Sequence, residues 1–325
     1  MGLADVQILA GTTRRPALRR LLAAAGLLAL AALAGPAAAQ EGRPIATGTF
    51  DMVSASGVSY RIFTAMPAGE TSAAGLSVVY LIDGNTTFPI ARDAMAGDPA
   101  MRAVLVGIGY PTDDRGEIVA LRYFDLTPQT PADLIPLAPG ASPPKTGNRE
   151  AFLSFIETEL KPRIEREFPV DRARQALFGH SLGGLFALHV LFTRPEAFEI
   201  YVAADPSIWW NGRSILVEQA DFIEERQQKA AGRRLLIETS GKHAMRPGTD
   251  AAAADRLKAL RGGPGGRAVH EALGAVPGLE RAFRAFPEES HGSMVPLAVA
   301  DALHFALLGQ DPPPAGGPAT EQDPD

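Results

Sequence analysis

The stretch 178-FGHSLGGLFAL-188 sets a single serine between glycines and then runs into apolar sequence. Within it, Gly179-His180-Ser181-Leu182-Gly183 fits G-x-S-x-G, with strand-like "QALF" ahead and helix-like "LFALHVLF" behind. Strand, sharp turn and helix in that order are the setting of a nucleophile elbow. In so tight a turn, a side chain two positions either side of the serine would strike neighbouring backbone. Glycine at 179 and 183 removes the clash and tolerates strained dihedrals. The hydroxyl is then expected above the edge of a sheet, at a helix N-terminus whose dipole favours a developing anion. As a bare pentapeptide the same residues would be an ordinary turn.

Outward from this point the chain alternates strands and helices. "GTFDMVSAS" and "VSYRIFTAMP" alternate apolar and polar residues around Ser-Gly, which predicts an antiparallel hairpin. "LSVVYLIDG" and "RAVLVGIGYP" are near-continuous apolar runs, as in strands buried on both faces of a parallel sheet. "FLSFIETELKPRIEREF" has helical spacing with charged outer positions. "FEIYVAADPS", "RRLLIETSG" and "RAFRAFPEESHG" read as later strands, with helical "DAAAADRLKALRG" between the last two and a helix over 294–308. The pattern predicts an α/β chain with a mostly parallel central sheet, an N-terminal antiparallel hairpin, and helices on both faces. Residues 111–148, rich in Pro and Thr, are expected to form a long connection roofing the site.

The ends differ from the body. Four arginines, an apolar run at 21–33 and Ala37-Ala38-Ala39 give residues 1–39 the layout of a cleaved signal peptide. The run is shorter than the roughly 18–20 residues a bilayer span needs, so no membrane anchor is expected after cleavage. The expected product is periplasmic or secreted. Residues 40–308 are expected to form one α/β domain, and "GQDPPPAGGPATEQDPD" at the C-terminus is expected to be a disordered tail over 309–325. Losing 1–39 removes four Arg and one Asp, taking the formal charge from −6 to −9. An acidic body with no basic cluster argues against a nucleic-acid partner. The chain has no cysteine, which excludes disulfides, thiolate metal sites and cysteine nucleophiles.

A serine needs a base. Of six histidines, His180 lies inside the elbow and is expected to shape it and to be near substrate. His189 and His304 fall in helices and are expected to pack, while His243 and His270 sit in polar connections. His291, in "PEESHGS", follows the last strand directly, where the chain order Ser, acid, His places the base. The acid is less determined. Asp205, at the end of the strand beside the elbow strand, is favoured. Glu238 and a working Ser–His dyad stay open, because the bend at 241–243 carries no acid. The oxyanion donors are expected to be the amides of Leu182 and Asn85. Neither metal nor organic cofactor is implied: there is no H-E-x-x-H and no phosphate-cradling loop after a strand.

With "VVYLIDGN", "RYFDLTP", "GHSLGG", "DPSIWWN" and "EESHGS" in this order, the chain resembles the esterase family of α/β-hydrolases. Within that family it is most similar to periplasmic trilactone esterases that open enterobactin- or salmochelin-type siderophores. The resemblance implies that the "DGN" loop supplies the oxyanion donor and that Arg122, of "R-x-x-D-x-T-P", lies near substrate. An internal Arg122–Asp125 pair reads equally well from the same residues. The resemblance also implies that a Ser–His dyad can suffice. Trp209 and Trp210 cannot both face a core, so one is expected to line the cleft and stack on an aromatic acyl group. The expected activity is hydrolysis of a small-molecule carboxylic ester through an acyl-enzyme. An acyltransferase or a non-catalytic binding protein on the same scaffold are the other readings.

Overall fold

The computed structural model describes residues 44–309, apart from 70, 138–140, 243–254 and 256–257. The signal segment, nearly all of the tail, and His243 therefore lie outside the described residues. Eight strands form one sheet in the order β1-β2-β4-β3-β5-β6-β7-β8. β1 (Ile45–Val53) and β2 (Ser59–Pro67) make the expected antiparallel hairpin, and β2 runs antiparallel to β4 (Ala103–Gly109). The remaining pairs, through β3 (Leu76–Ile82), β5 (Val170–His180), β6 (Ile200–Ala204), β7 (Arg234–Lys242) and β8 (Glu280–Ser290), are parallel.

Burial follows from the sequence runs. All seven residues of β3 and all seven of β4 are buried, because helices cover both faces of the sheet. One face carries α1 (Gly84–Gly97) and the C-terminal helix α6 (Val295–Leu308), packed through Phe88, Met95, Val299 and Leu303. The other carries α5 (Leu182–Thr193) and the helix from α3 (Arg149–Phe155) to α4 (Lys161–Glu167), which contains one wider π turn. Each such aliphatic or aromatic side chain removed from water contributes about 1.5–3 kcal/mol. α5 is buried from Leu182 to Phe192 and apolar on every side apart from His189, as befits a central helix.

Two expectations need correction. Residues 111–148 are not structureless: α2 (Arg115–Leu126) lies among them. Its sequence signal is Asp114 three residues ahead of Glu117, and the Asp114 carboxylate accepts a 2.7 Å bond from the Glu117 amide. Nor, among the described residues, do they line the Ser181 cavity. Pro111, Thr112, Leu121, Phe124 and Lys145 line a separate cavity of about 590 Å³.

Candidate active site

The elbow is built as a close approach between strand and helix. A Cβ on Gly179 would lie 2.1 Å from the Gly183 carbonyl oxygen, a backbone atom that cannot move aside. The strain sits elsewhere than the sequence suggested. Ser181 itself carries φ 61°, ψ −114°, while Gly179 and Gly183 have no positive φ. A Cβ on Gly183 would crowd only the Ile82 side chain, at 3.2 Å, so Gly179 is the one required for space. The same holds for Gly184, whose absent side chain leaves room for the 205–207 turn: a Cβ there would meet the Ala204 carbonyl oxygen at 3.0 Å and Pro206 Cα at 3.1 Å.

Three distant segments converge on the serine. His291 Nε2 lies 3.0 Å from Ser181 Oγ, and His291 Nδ1 lies 2.6 Å from Asp205 Oδ2. β5 ends in Ser181, β6 runs into Asp205 and β8 into His291, so the parallel sheet delivers all three at the carboxyl ends of its strands. Asp205 is further held by Ser240, whose hydroxyl donates to Oδ2 at 2.7 Å and whose amide donates to Oδ1 at 3.2 Å. Burial would push the Asp205 carboxyl up, but bonds from His291 and Ser240 outweigh it and hold it below the ordinary value. The carboxylate is thus charged and orients the imidazole. Ser207 Oγ is a further neighbour of Ser181 Oγ, at 3.3 Å, and sequence reasoning passed it over within "DPS".

Glu238 does not reach this site. It is fully buried beside Asp301 of α6, and burial together with that like charge pushes its carboxyl well above the ordinary range. Only its backbone takes part: its carbonyl accepts the Asp205 amide at 2.8 Å. His180 stands against the His291 ring, with centroids 4.5 Å apart, and is not among the cavity-lining residues. Burial, helped by the neighbouring His291, lowers its pKa to about 3, so it packs as a neutral imidazole. A substrate contact for His180 is therefore replaced by support of His291.

Asn85 is the second residue of α1, and its side chain is spent on structure. It accepts from the Tyr110 amide at 2.8 Å and donates to the Tyr110 carbonyl at 3.0 Å. That fixes the 83–85 loop beside β4. Leu182 is the first residue of α5 and follows Ser181 directly. Asp83, at φ 62°, places Oδ2 3.5 Å from where a Gly183 Cβ would be, so this loop lies against the elbow.

Arg122 pairs with Asp83 in a half-buried, bidentate arrangement, so the alternative pair with Asp125 is not the one formed. Asp125 instead accepts from Tyr110 Oη at 3.1 Å and Asn148 Nδ2 at 2.7 Å. Arg122 is not among the residues lining the Ser181 cavity; its contact with Asp83 ties α2 to the loop beside the elbow. The tryptophans part as two adjacent large rings must, though only one serves the cleft. Trp209 lines the cavity, whereas Trp210 is 1% exposed, donates to Thr130 Oγ1 at 2.9 Å and stacks on Tyr123. A substrate contact for Trp210 is excluded by that burial.

The cavity at Ser181 has a volume of about 950 Å³. Four cations in the lining, Lys242, Lys258, Arg261 and Arg267, outnumber its two carboxylates, Asp205 and Asp255, and make it basic, although Lys242 is paired with Glu288 at 3.0 Å; the Arg261 guanidinium lies over the Trp209 ring at 5.1 Å. His180, Asp205 and His291 offer atoms close enough together to hold a metal ion. The hydrogen bonds of His291 and Asp205 already account for the two of them that face Ser181. Among the described residues, no helix is long and apolar enough to cross a membrane.

Residues 54–247 match a family model described as "Putative esterase". The ferri-bacillibactin esterase BesA of Bacillus subtilis is 34% identical over 267 residues, covering 78% of this chain and 86% of its own. The siderophore enterobactin esterase of Emericella nidulans is 44% identical over 165 residues, 48% of this chain and 54% of its own. Among solved structures, the BES protein from Bacillus cereus superposes with a TM-score of 0.67 at 32% identity, over 80% of this chain and 96% of that one. On this match and on its α/β-hydrolase architecture, the chain belongs to the esterase family and is a carboxylic ester hydrolase.

Proposed function

We propose that this protein is an exported serine esterase that opens the ester bonds of iron-chelating siderophores. The observation that carries the reading is the unbroken line of contacts Ser181–His291–Asp205 at the floor of a cavity large enough for such a ligand. Ser181 Oγ attacks the ester carbonyl carbon while its proton passes to His291 Nε2. The Leu182 and Asn85 amides hold the resulting oxyanion. The carbon–oxygen bond then breaks, and His291 returns the proton to the departing alkoxide. Water, deprotonated by His291, attacks the acyl carbon; Ser181 leaves and regains its proton.

Substrate class rests on the relatives, which are named for ferri-bacillibactin and enterobactin, and on the basic wall with its Trp209 platform. An iron(III) tris-catecholate is aromatic and strongly anionic, and so fits such a wall. Export rests on the basic, apolar and A-x-A succession of residues 1–39. The test is a fluorophosphonate label located by mass spectrometry, together with hydrolysis of a cyclic tri-ester siderophore by wild type and Ser181→Ala. Label on Ser181 and loss of turnover in the variant are expected. Undiminished turnover by Ser181→Ala would reject the reading.

A further inference from the structure

Ser207 follows the acid by two residues and is buried, 4% exposed, at the cavity floor. Its amide donates to the Ser181 carbonyl at 3.1 Å, and its hydroxyl lies 3.3 Å from Ser181 Oγ. The proton inventory of the site fixes which of the two hydroxyls donates. Asp205 is ionised and acceptor-only, so the 2.6 Å contact must be His291 Nδ1–H giving its proton to Oδ2. In the neutral imidazole, Nε2 is then a bare acceptor. Ser181 has one hydroxyl hydrogen, and the 3.0 Å contact to Nε2 takes it. What remains for Ser207 is a lone pair on Ser181 Oγ.

We infer that the Ser207 hydroxyl is a second catalytic donor, aimed at the nucleophile oxygen. This rests on the reading of Ser181 as nucleophile. As Ser181 Oγ loses its proton to His291 it gains negative charge, and a donor in place on that oxygen strengthens as the charge grows. When the second tetrahedral intermediate collapses, the bond from the acyl carbon to Ser181 Oγ breaks and its electron pair returns to Oγ. His291 supplies the proton and Ser207 holds the leaving oxygen by the same contact. Ser207 gives up no proton in either step, so the reaction balances without it. The D-P-S turn thus serves twice: Asp205 orients the base, and Ser207 steadies the oxygen from the other side. Gly184 gives that turn its room.

The experiment compares full-length wild type with Ser207→Ala, Ser207→Thr and Ser207→Cys. It measures the rate of labelling by a fluorophosphonate, steady-state hydrolysis of p-nitrophenyl acetate, and thermal unfolding. Loss of one such donor is expected to slow both labelling and kcat by about 10-fold with KM unchanged. The threonine variant keeps the hydroxyl and is expected to recover most of the rate. The cysteine variant is close in size but a poor donor, and is expected to stay slow. A Ser207→Ala enzyme that labels and turns over at the wild-type rate overturns the inference, as does a threonine variant no faster than alanine. If the alanine variant does not fold, a cysteine variant as fast as threonine overturns it instead. A wild-type protein that takes no label at Ser181 removes the nucleophile reading itself, and this one with it.

Discussion

Asp205 and His291 stand 86 positions apart in the chain, and Oδ2 of the one lies 2.6 Å from Nδ1 of the other. The pairing separates a three-member apparatus from a Ser–His dyad. Asp205 also takes two bonds from Ser240, so it is braced as an orienting group is braced. Asp205→Asn is expected to lower kcat by about 10⁴-fold, since an amide there can donate to the imidazole and hold the wrong tautomer. Steady-state assay on p-nitrophenyl acetate decides. A variant within threefold of wild type would mean that the dyad suffices.

The acid side of the pH profile should show one proton. The folded Asp205 carboxyl is depressed below its ordinary 3.8, so its contribution is present above that value and is lost only as pH falls through the lower folded value. His180 is held neutral down to about 3 by burial. Neither supplies the acid limb of a rate profile, so that limb reports the base that takes the Ser181 proton. A plot of log kcat/KM against pH from 8 to 4.5 is expected to fall with a limiting slope of one. A slope of two would show that a second group of this cluster titrates.

Much of this was legible because it depends on local rules. Gly-x-Ser-x-Gly between a strand and a helix allows one backbone path, and His291 sits where the last strand ends. Arg122 was harder. "RYFDLTP" offers Asp125 at i+3, but the arginine reaches Asp83 on another element, 39 positions away, and only tertiary packing sets that. The cavity wall was misassigned for the same reason: loop composition at 111–148 says nothing of which side of the sheet the loop crosses. Ser207 lies within "DPSIWWN", but nothing in that stretch assigns its hydroxyl a role, and only its distance to Ser181 singles it out.

The two tryptophans should separate binding from stability. Trp210→Phe removes the bond to Thr130 Oγ1 and part of the stack on Tyr123, and is expected to cost about 1–2 kcal/mol of unfolding free energy with KM unchanged. Trp209→Ala is expected to raise KM for an aromatic ester severalfold while leaving stability within about 0.5–1 kcal/mol. Denaturant unfolding and Michaelis profiles of both variants check the division. A reversal, with Trp210 controlling KM, would refute it.

His189 is a stability group with its own pH sign. It is buried in α5, with Nδ1 2.7 Å from Glu218 and Nε2 3.0 Å from Glu150. Burial would lower its pKa, yet the two carboxylates outweigh burial and raise it above 6.5. A raised folded pKa means the contribution is complete below the unfolded value of 6.5 and fades as pH rises through the folded one. Unfolding free energy is therefore expected to decline above neutrality, and His189→Gln to flatten that decline. At pH 6 the variant is expected to lose about 2–3 kcal/mol, because Glu218 keeps Arg149 as a partner. Urea titrations at pH 6 and 9 measure both effects, and an unchanged pH slope in the variant would refute the assignment.

The basic wall should act on charged substrates alone. Lys258, Arg261 and Arg267 line the Ser181 cavity in a chain whose formal charge is −6, so this surface opposes the sign of the whole molecule. Each cation is worth about 1 kcal/mol toward an anion at contact in water, and salt near 1 M screens it beyond about 3 Å. The double variant Lys258→Glu, Arg261→Glu is expected to raise KM for a ferric tris-catecholate tri-ester by more than 10-fold at low salt. Its KM for uncharged p-nitrophenyl acetate should stay within twofold. Added salt should erode the wild-type preference for the ferric over the iron-free ester and leave the double variant unmoved. Equal losses on the charged and the neutral ester would mean that the substitutions disturb the cavity itself, and that its charge selects nothing.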